Sequence, residues 1–199
     1  MHPIEHFKTI TRHRHLVCRY CFRLGLWRQG LTHDLSKYSL TEFLPGAKYW
    51  QGTRSPNDVE RRRTGVSLAW LHHKGRNRHH FEYWIDYVIR DDGGVEYGGN
   101  KMPLRYVAEM FCDRVAASRV YLGDAYTDAA AWTYYVNSKD RILIHPETGA
   151  EIEEMLRVLK DDGEEAAFAY VRRRLCEEKK HGQRENSRER TDSAPRDWL

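Results

Sequence analysis

The sequence is short of cysteine and of long apolar runs, and both shortages exclude classes of protein. Its 199 residues include four cysteines (Cys18, Cys21, Cys112 and Cys176), which are too few and too scattered for a disulfide scaffold. No run approaches the roughly 20 apolar residues that span a bilayer, and the first residues lack the charged-then-apolar layout of a secretory signal. We therefore expect a cytoplasmic protein without a membrane-spanning segment.

Three catalytic motifs are missing as well: the serine nucleophile elbow, the phosphate-cradling glycine-rich loop and the dinucleotide fingerprint. What the sequence does have is 40% apolar residues, many of them at helical spacing. The pattern predicts an all-α bundle in one domain over residues 1–178, followed by a polar, disordered tail over 179–199. Helices are predicted at about 4–25, from a capping box at 39–42, and at about 58–74, 81–88, 103–121, 124–137, 149–160 and 164–178.

Charge and histidine are distributed unevenly along the chain. Residues 1–90 carry 16 Lys and Arg against 7 Asp and Glu, together with nine of the eleven histidines. This basic, His-rich half favours an anionic ligand such as a phosphate. A solvated basic surface is the alternative interpretation.

The stretch His33-Asp34-Leu35-Ser36-Lys37 is the strongest local signal. Adjacent His and Asp offer an imidazole nitrogen and a carboxylate oxygen, which suit a divalent metal ion such as Mn, Fe, Zn or Mg. Upstream, His13 continues the apolar face of the first predicted helix and is a further candidate ligand. A hydrogen-bonded core histidine is the alternative interpretation of His13.

Four more histidines lie between two tryptophans, at His72, His73, His79 and His80. Helical periodicity favours His73 over His72. It hardly separates His79 from His80, and we choose His80 because it lies one turn before Trp84, a predicted core residue; both choices stay open at the level of the sequence. The alternative interpretation is a His-rich surface loop. The flanking tryptophans argue for partial burial instead.

Asp113 places a carboxylate on the same face as Met110 in an otherwise apolar predicted helix. An unpaired buried carboxylate is costly, so the position predicts a neighbouring cation. That cation is either a metal ion or an arginine such as Arg114 or Arg119.

The order of these residues resembles the HD-domain superfamily of metal-dependent phosphohydrolases, an all-helical family named for its paired His and Asp. The family motif is an early His, the His-Asp pair and a late Asp, with two further His in dinuclear members. The string from Trp70 to Trp84, with Cys112-Asp113, also looks like an uncharacterised bacterial and phage family. One departure is that His73 and His80 are closer together than in many dinuclear members.

The resemblance implies a role for each matching residue. His13, His33, Asp34 and Asp113 would hold a first divalent ion, and Asp34 would bridge to a second ion held by His73 and His80. The remaining candidates, Lys37 and Arg76, would contact a substrate phosphate. Asp34 and Lys37 are thus the candidate catalytic residues, and one or two ions are expected.

The function that this implies is hydrolysis of a phosphoester by metal-activated water, with a small phosphorylated molecule such as a nucleotide as substrate. A di-iron oxygenase of the HD type keeps the same site and changes the reaction. A non-catalytic helical module that binds nucleic acid or an acidic partner through Arg61-Arg62-Arg63 is the third possibility, although no nucleic-acid motif is present. The sequence leaves the oligomeric state open.

Overall fold

The computed structural model of the protein describes residues 1–192. Its fold is the predicted all-α one, with one small hairpin, and no helix of the described chain combines the length and apolarity needed to cross a membrane. The main elements are α1 (Pro3–Arg23), α2 (Trp27–Thr32), α3 (Leu40–Tyr49), α4 (Pro56–Thr64), α5 (Leu68–Lys74), β1 (Ile85–Ile89), β2 (Val95–Gly99), α6 (Leu104–Leu122), α7 (Ala130–Val136) and α8 (Pro146–Asp192).

An apolar core lies where α1, α6 and α8 pack against one another. Phe111 of α6 and Leu156 and Val171 of α8 are almost completely buried in it. Helix α8 changes direction at Gly163, whose backbone is non-helical with φ 85° and ψ 175°. Glycine has no Cβ and adopts this conformation without strain, so both halves of α8 can pack along the core.

A second layer is built by α2 and α3, which pack against α1, and by α5, which packs against α3. Helix α3 approaches α1 closely because residue 46 is a glycine: a Cβ there would collide with the imidazole ring of His6. This approach places the loop between α2 and α3, which contains His33 and Asp34, against α1 and α6.

Two of the predicted helices are different in the structure. The helix predicted over 58–74 is two helices, α4 and α5, because Gly65 ends α4 in a left-handed conformation with φ 81°. The helix predicted over 81–88 is a short 3-10 turn followed by strand β1, which pairs antiparallel with β2. The two strands have β-branched or aromatic residues at alternating positions, such as Ile85, Tyr87 and Ile89 in β1, which favours a strand over a helix. A glycine-rich turn at 90–94 closes the hairpin.

The other boundaries differ by smaller amounts. Helix α3 begins at the predicted place, but the side chain of Ser39 makes no capping hydrogen bond, and the helix continues through Pro45. Residues 179–192, the first part of the predicted tail, belong to α8. Residues 193–199 lie outside the described residues.

Candidate metal centre

Asp34 has an unusual backbone conformation that directs its side chain inward. It lies between α2 and a 3-10 turn with φ 54° and ψ 24°, and no other non-glycine residue among 1–192 has a positive φ. This left-handed conformation costs about 1 kcal/mol or more for most residues, and Asp is among those that tolerate it. As a result, His33 and Asp34 are both 1% exposed, and their side chains belong to the same buried group of potential metal ligands.

The first group of potential ligands comprises His13 from α1, His33 and Asp34 from the loop, and Asp113 from α6. The Nε2 atom of His13 lies 3.0 Å from Asp113 Oδ1 and 3.6 Å from Asp34 Oδ2. The Nε2 atom of His33 lies 3.5 Å and 3.4 Å from the same two oxygens. Ligands about 2 Å from one ion are about 3–4 Å from each other, so these four atoms fit a single metal position.

The second group comprises Asp34 again, with His73 from α5 and His79 and His80 from the turn after it. The other oxygen of Asp34, Oδ1, lies 3.3 Å from His73 Nε2 and 3.6 Å from His79 Nε2. The ring of His80 packs on both, with centroids 4.8 Å from His73 and 4.1 Å from His79. Asp34 therefore presents one oxygen to each group and lies between two potential metal positions.

Many of the inward-facing atoms have no hydrogen-bond partner. In residues 1–192 this holds for both carboxylate oxygens of Asp34 and for the Nε2 atoms of His13, His33, His79 and His80. Lys37 Nζ forms an ion pair with Asp34 Oδ2 at 2.6 Å, but the angles of this contact are not those of a hydrogen bond. Each unsatisfied buried polar atom costs roughly 1–3 kcal/mol. A divalent ion in each group would satisfy the atoms of that group, so the chemistry of the donor set fits a metal.

Glu109 of α6 fixes the orientation of two imidazoles by contacting their Nδ1 atoms, on the side of each ring away from Asp34. Its Oε1 lies 2.9 Å from His33 Nδ1 and 3.2 Å from His79 Nδ1, so both rings turn their Nε2 atoms toward Asp34. Burial opposes the charged form of Glu109, but hydrogen bonds from His33 and His79 outweigh it and lower its pKa from 4.5 to about 2. A carboxylate behind the ring orients a metal-binding histidine and raises its basicity.

Glu42 of α3 holds two histidine rings of α5 in fixed orientations in the same way. Its two oxygens lie 2.7 Å from His72 Nδ1 and 2.7 Å from His73 Nδ1. His73 Nε2 therefore faces Asp34, whereas His72 lies outside both groups. This contact also explains why Glu42 does not complete the predicted capping box: its side chain is already bound to α5.

The titration of the cluster reflects its excess of negative charge. Burial disfavours a charged His33, yet the Asp34 carboxylate outweighs burial and raises the pKa of His33 well above its ordinary value. Burial also opposes ionised Asp34 and Asp113, but neighbouring histidines hold the pKa of each carboxyl well below its usual range. The part of the site around Asp34 and Asp113 thus favours positive charge, which a divalent cation would supply in place of protons. Burial and the neighbouring His79 and His73 lower the pKa of His80 well below its ordinary value, which keeps its imidazole neutral, the form that binds a metal.

The two predicted phosphate-binding residues lie in different surroundings. Lys37 connects the buried carboxylate of Asp34 to the surface, because its side chain is 26% exposed and that of Asp34 is 1% exposed. The Asp34 and Asp113 carboxylates outweigh burial and raise the pKa of Lys37, which keeps it cationic. Arg76 is exposed in the turn after α5 and is absent from both groups.

The structure brings all six predicted ligands into the two groups: His13, His33, Asp34, His73, His80 and Asp113. Asp113 contacts His13 and His33, while Arg119, one of its predicted alternatives, pairs with Glu164. His79, Glu109 and Glu42 were not among the predicted residues. Helical periodicity forced a choice between His79 and His80, but these residues lie in a non-helical turn where neighbouring side chains can both face the site.

A model of one protein family matches residues 2–158, and it is described as a "Family of unknown function (DUF5662)". The match covers most of the chain, including every residue of the two groups together with Glu42 and Glu109, so the protein belongs to this family. No curated protein matches the chain, and no solved structure matches it.

Proposed function

We propose that this protein is a metal-dependent hydrolase of phosphoesters with a centre of the HD-domain type. The observation that carries the proposal is the position of Asp34, whose two oxygens face two separate groups of imidazoles. A bridging carboxylate between two metal positions is the arrangement that the HD-domain resemblance implies.

The metal would supply one element of the chemistry: a bound divalent ion lowers the pKa of water toward neutrality and stabilises charge on a phosphoryl oxygen. The protein supplies the remainder. Glu109 and Glu42 hold His33, His79 and His73 in fixed orientations. Lys37, at the exposed side of the centre, is positioned to bind the phosphate of a small phosphorylated molecule such as a nucleotide.

The first test is metal content and hydrolysis in protein purified without chelator. We expect at least one equivalent of a divalent metal and hydrolysis of p-nitrophenyl phosphate that Mn, Fe, Zn or Mg restores after chelation. Asp113→Asn should lose most of the metal and the activity. The matched control is Asp86→Asn on exposed strand β1, which should retain both. Less than a few tenths of an equivalent, with none regained on incubation, contradicts the proposal.

A di-iron oxygenase is the second candidate, and the composition of the second group favours it. Three imidazoles and one shared carboxylate form a nitrogen-rich set that suits iron. An iron-dependent absorbance that changes with oxygen would support this reaction. Full phosphoester hydrolysis with Mn or Mg in the absence of oxygen would exclude it as the main activity.

A further inference from the structure

An open groove of about 800 Å³ runs along the exposed face of α1. The first turn beyond α6, including Gly123, Asp124 and Tyr126, forms its other wall. The ring of Phe7, which is 49% exposed, contributes an aromatic surface to the groove.

Four basic side chains follow one stripe of α1 along this groove: Lys8, Arg12, His15 and Arg19. Their spacing of four, three and four residues keeps them on one face, with about 6 Å of helical rise per four residues. None of them has an ion-pair partner within the described part of the chain, although other surface arginines such as Arg62 and Arg157 do. Asp124 is the one acidic residue that lines the groove.

Unpaired cations at this regular spacing fit a ligand whose negative charges are also regularly spaced. The rise between Lys8 and Arg12 is close to the distance between successive phosphates of an extended nucleic-acid strand. A concave groove with an aromatic ring suits unpaired bases, which stack on aromatic side chains while cations follow the backbone. A flexible acidic polypeptide lacks both the fixed charge spacing and the flat bases.

We propose that this groove binds single-stranded nucleic acid. Its phosphates contact the α1 stripe, and its bases stack near Phe7. The groove is close to the metal centre, because Thr11 Oγ1 lies 3.0 Å from the hydroxyl of Tyr38, the residue after Lys37. The Phe7 ring packs on the same tyrosine, with ring centroids 5.9 Å apart. The binding proposal does not depend on hydrolysis.

Fluorescence anisotropy with a labelled oligo(dT) tests the proposal on the full chain, with chelator present so that hydrolysis does not interfere. We expect binding that weakens steeply with salt, with a logarithmic slope of about −2.1 for phosphate contacts of Lys8, Arg12 and Arg19 on a single strand. The double variant Arg12→Glu/Arg19→Glu should bind at least tenfold more weakly, with a slope of about −0.7 or smaller in magnitude, because Lys8 is the charged residue that remains. Phe7→Ala should weaken binding with little change in the slope.

The matched control is Arg105→Glu/Arg141→Glu, which reverses the same amount of charge at two exposed arginines that do not line the groove. It should bind within twofold of the natural protein. An equal loss in both double variants would show non-specific attraction and overturn the assignment, as would absence of binding at low salt. Poly-glutamate that competes as well as unlabelled oligo(dT) would also overturn it. Thermal unfolding of each variant verifies that the fold is retained.

Discussion

The molecule has two buried regions of opposite character. Between α1, α6 and α8 the core is apolar, and residues such as Phe111, Leu156 and Val171 fill it. Around Asp34, the buried residues are histidines and carboxylates, and many of their polar atoms lack partners within residues 1–192. The first region stabilises the fold by excluding water. The second lowers the free energy of unfolding through its buried polar atoms, and a bound ion would offset that cost.

Helix α6 belongs to both regions and shows how one sequence serves each. Phe111 and Val115 face the apolar core, whereas Glu109 and Asp113 face the polar cluster. The same is true of α1, where Val17 and Cys21 are in the core and His13 is in the cluster. The apolar part of each helix therefore provides the rigidity that holds the ligands of the polar part.

The largest effect that we expect comes from Asp34→Asn. Asn tolerates the left-handed conformation and keeps the shape, but it removes the charge that both metal positions share. Metal affinity should fall by about 1000-fold or more, equal to about 4 kcal/mol, while the metal-free fold stays intact. Isothermal titration with Mn or Zn measures the affinity, and thermal unfolding in chelator checks the fold. Unchanged affinity would mean that Asp34 is not a ligand.

The next effect belongs to the apolar region. Leu156→Ala should lower the free energy of unfolding by about 3 kcal/mol, because it leaves a cavity among fully buried side chains. Urea unfolding in chelator and with metal should give the same loss in both conditions. Leu40→Ala, at a position 74% exposed, is the control and should change stability little. A loss that disappears on metal addition would show that the two regions are not separate.

Metal addition should stabilise the natural protein by about 2.7 kcal/mol when the free ion is at a hundred times its dissociation constant. The reason is that the ion binds the folded cluster and satisfies atoms that are otherwise buried without partners. Differential scanning calorimetry with and without metal measures the shift in Tm. Asp34→Asn should show almost none of it, and an equal shift in that variant would place the ion elsewhere.

The smallest effect concerns the carboxylate behind the imidazoles. Glu109→Gln keeps a hydrogen-bond acceptor for His33 and His79 but removes the charge that makes them basic. Metal affinity should fall by about 10- to 100-fold, with the same number of ions bound. Metal titration by calorimetry separates affinity from stoichiometry. A loss of a whole ion would mean that Glu109 is itself a ligand.

How much of the site could be predicted depended on the local structure of each residue. His13 and Asp113 lie within long helices, where periodicity correctly placed them on an inward face. His79 and His80 lie in a turn, where helical periodicity does not apply. Choosing His80 by that periodicity left His79 out of the predicted ligands, although the structure places both in the second group. Glu42 was interpreted as a capping residue, because the sequence cannot show that α5 packs against α3 and offers it two imidazoles.

The sequence by itself determined the helical class, the apolar faces and the candidate ligands, because these depend on residue type and on spacing along one helix. Only the tertiary structure decided that ligands from α1, the Asp34 loop, α5, the following turn and α6 meet at two points that share one carboxylate. It also decided which carboxylates stand behind which imidazoles. These contacts join residues as far as 100 positions apart, between His13 and Asp113, and no local pattern encodes the packing of helices that brings them together.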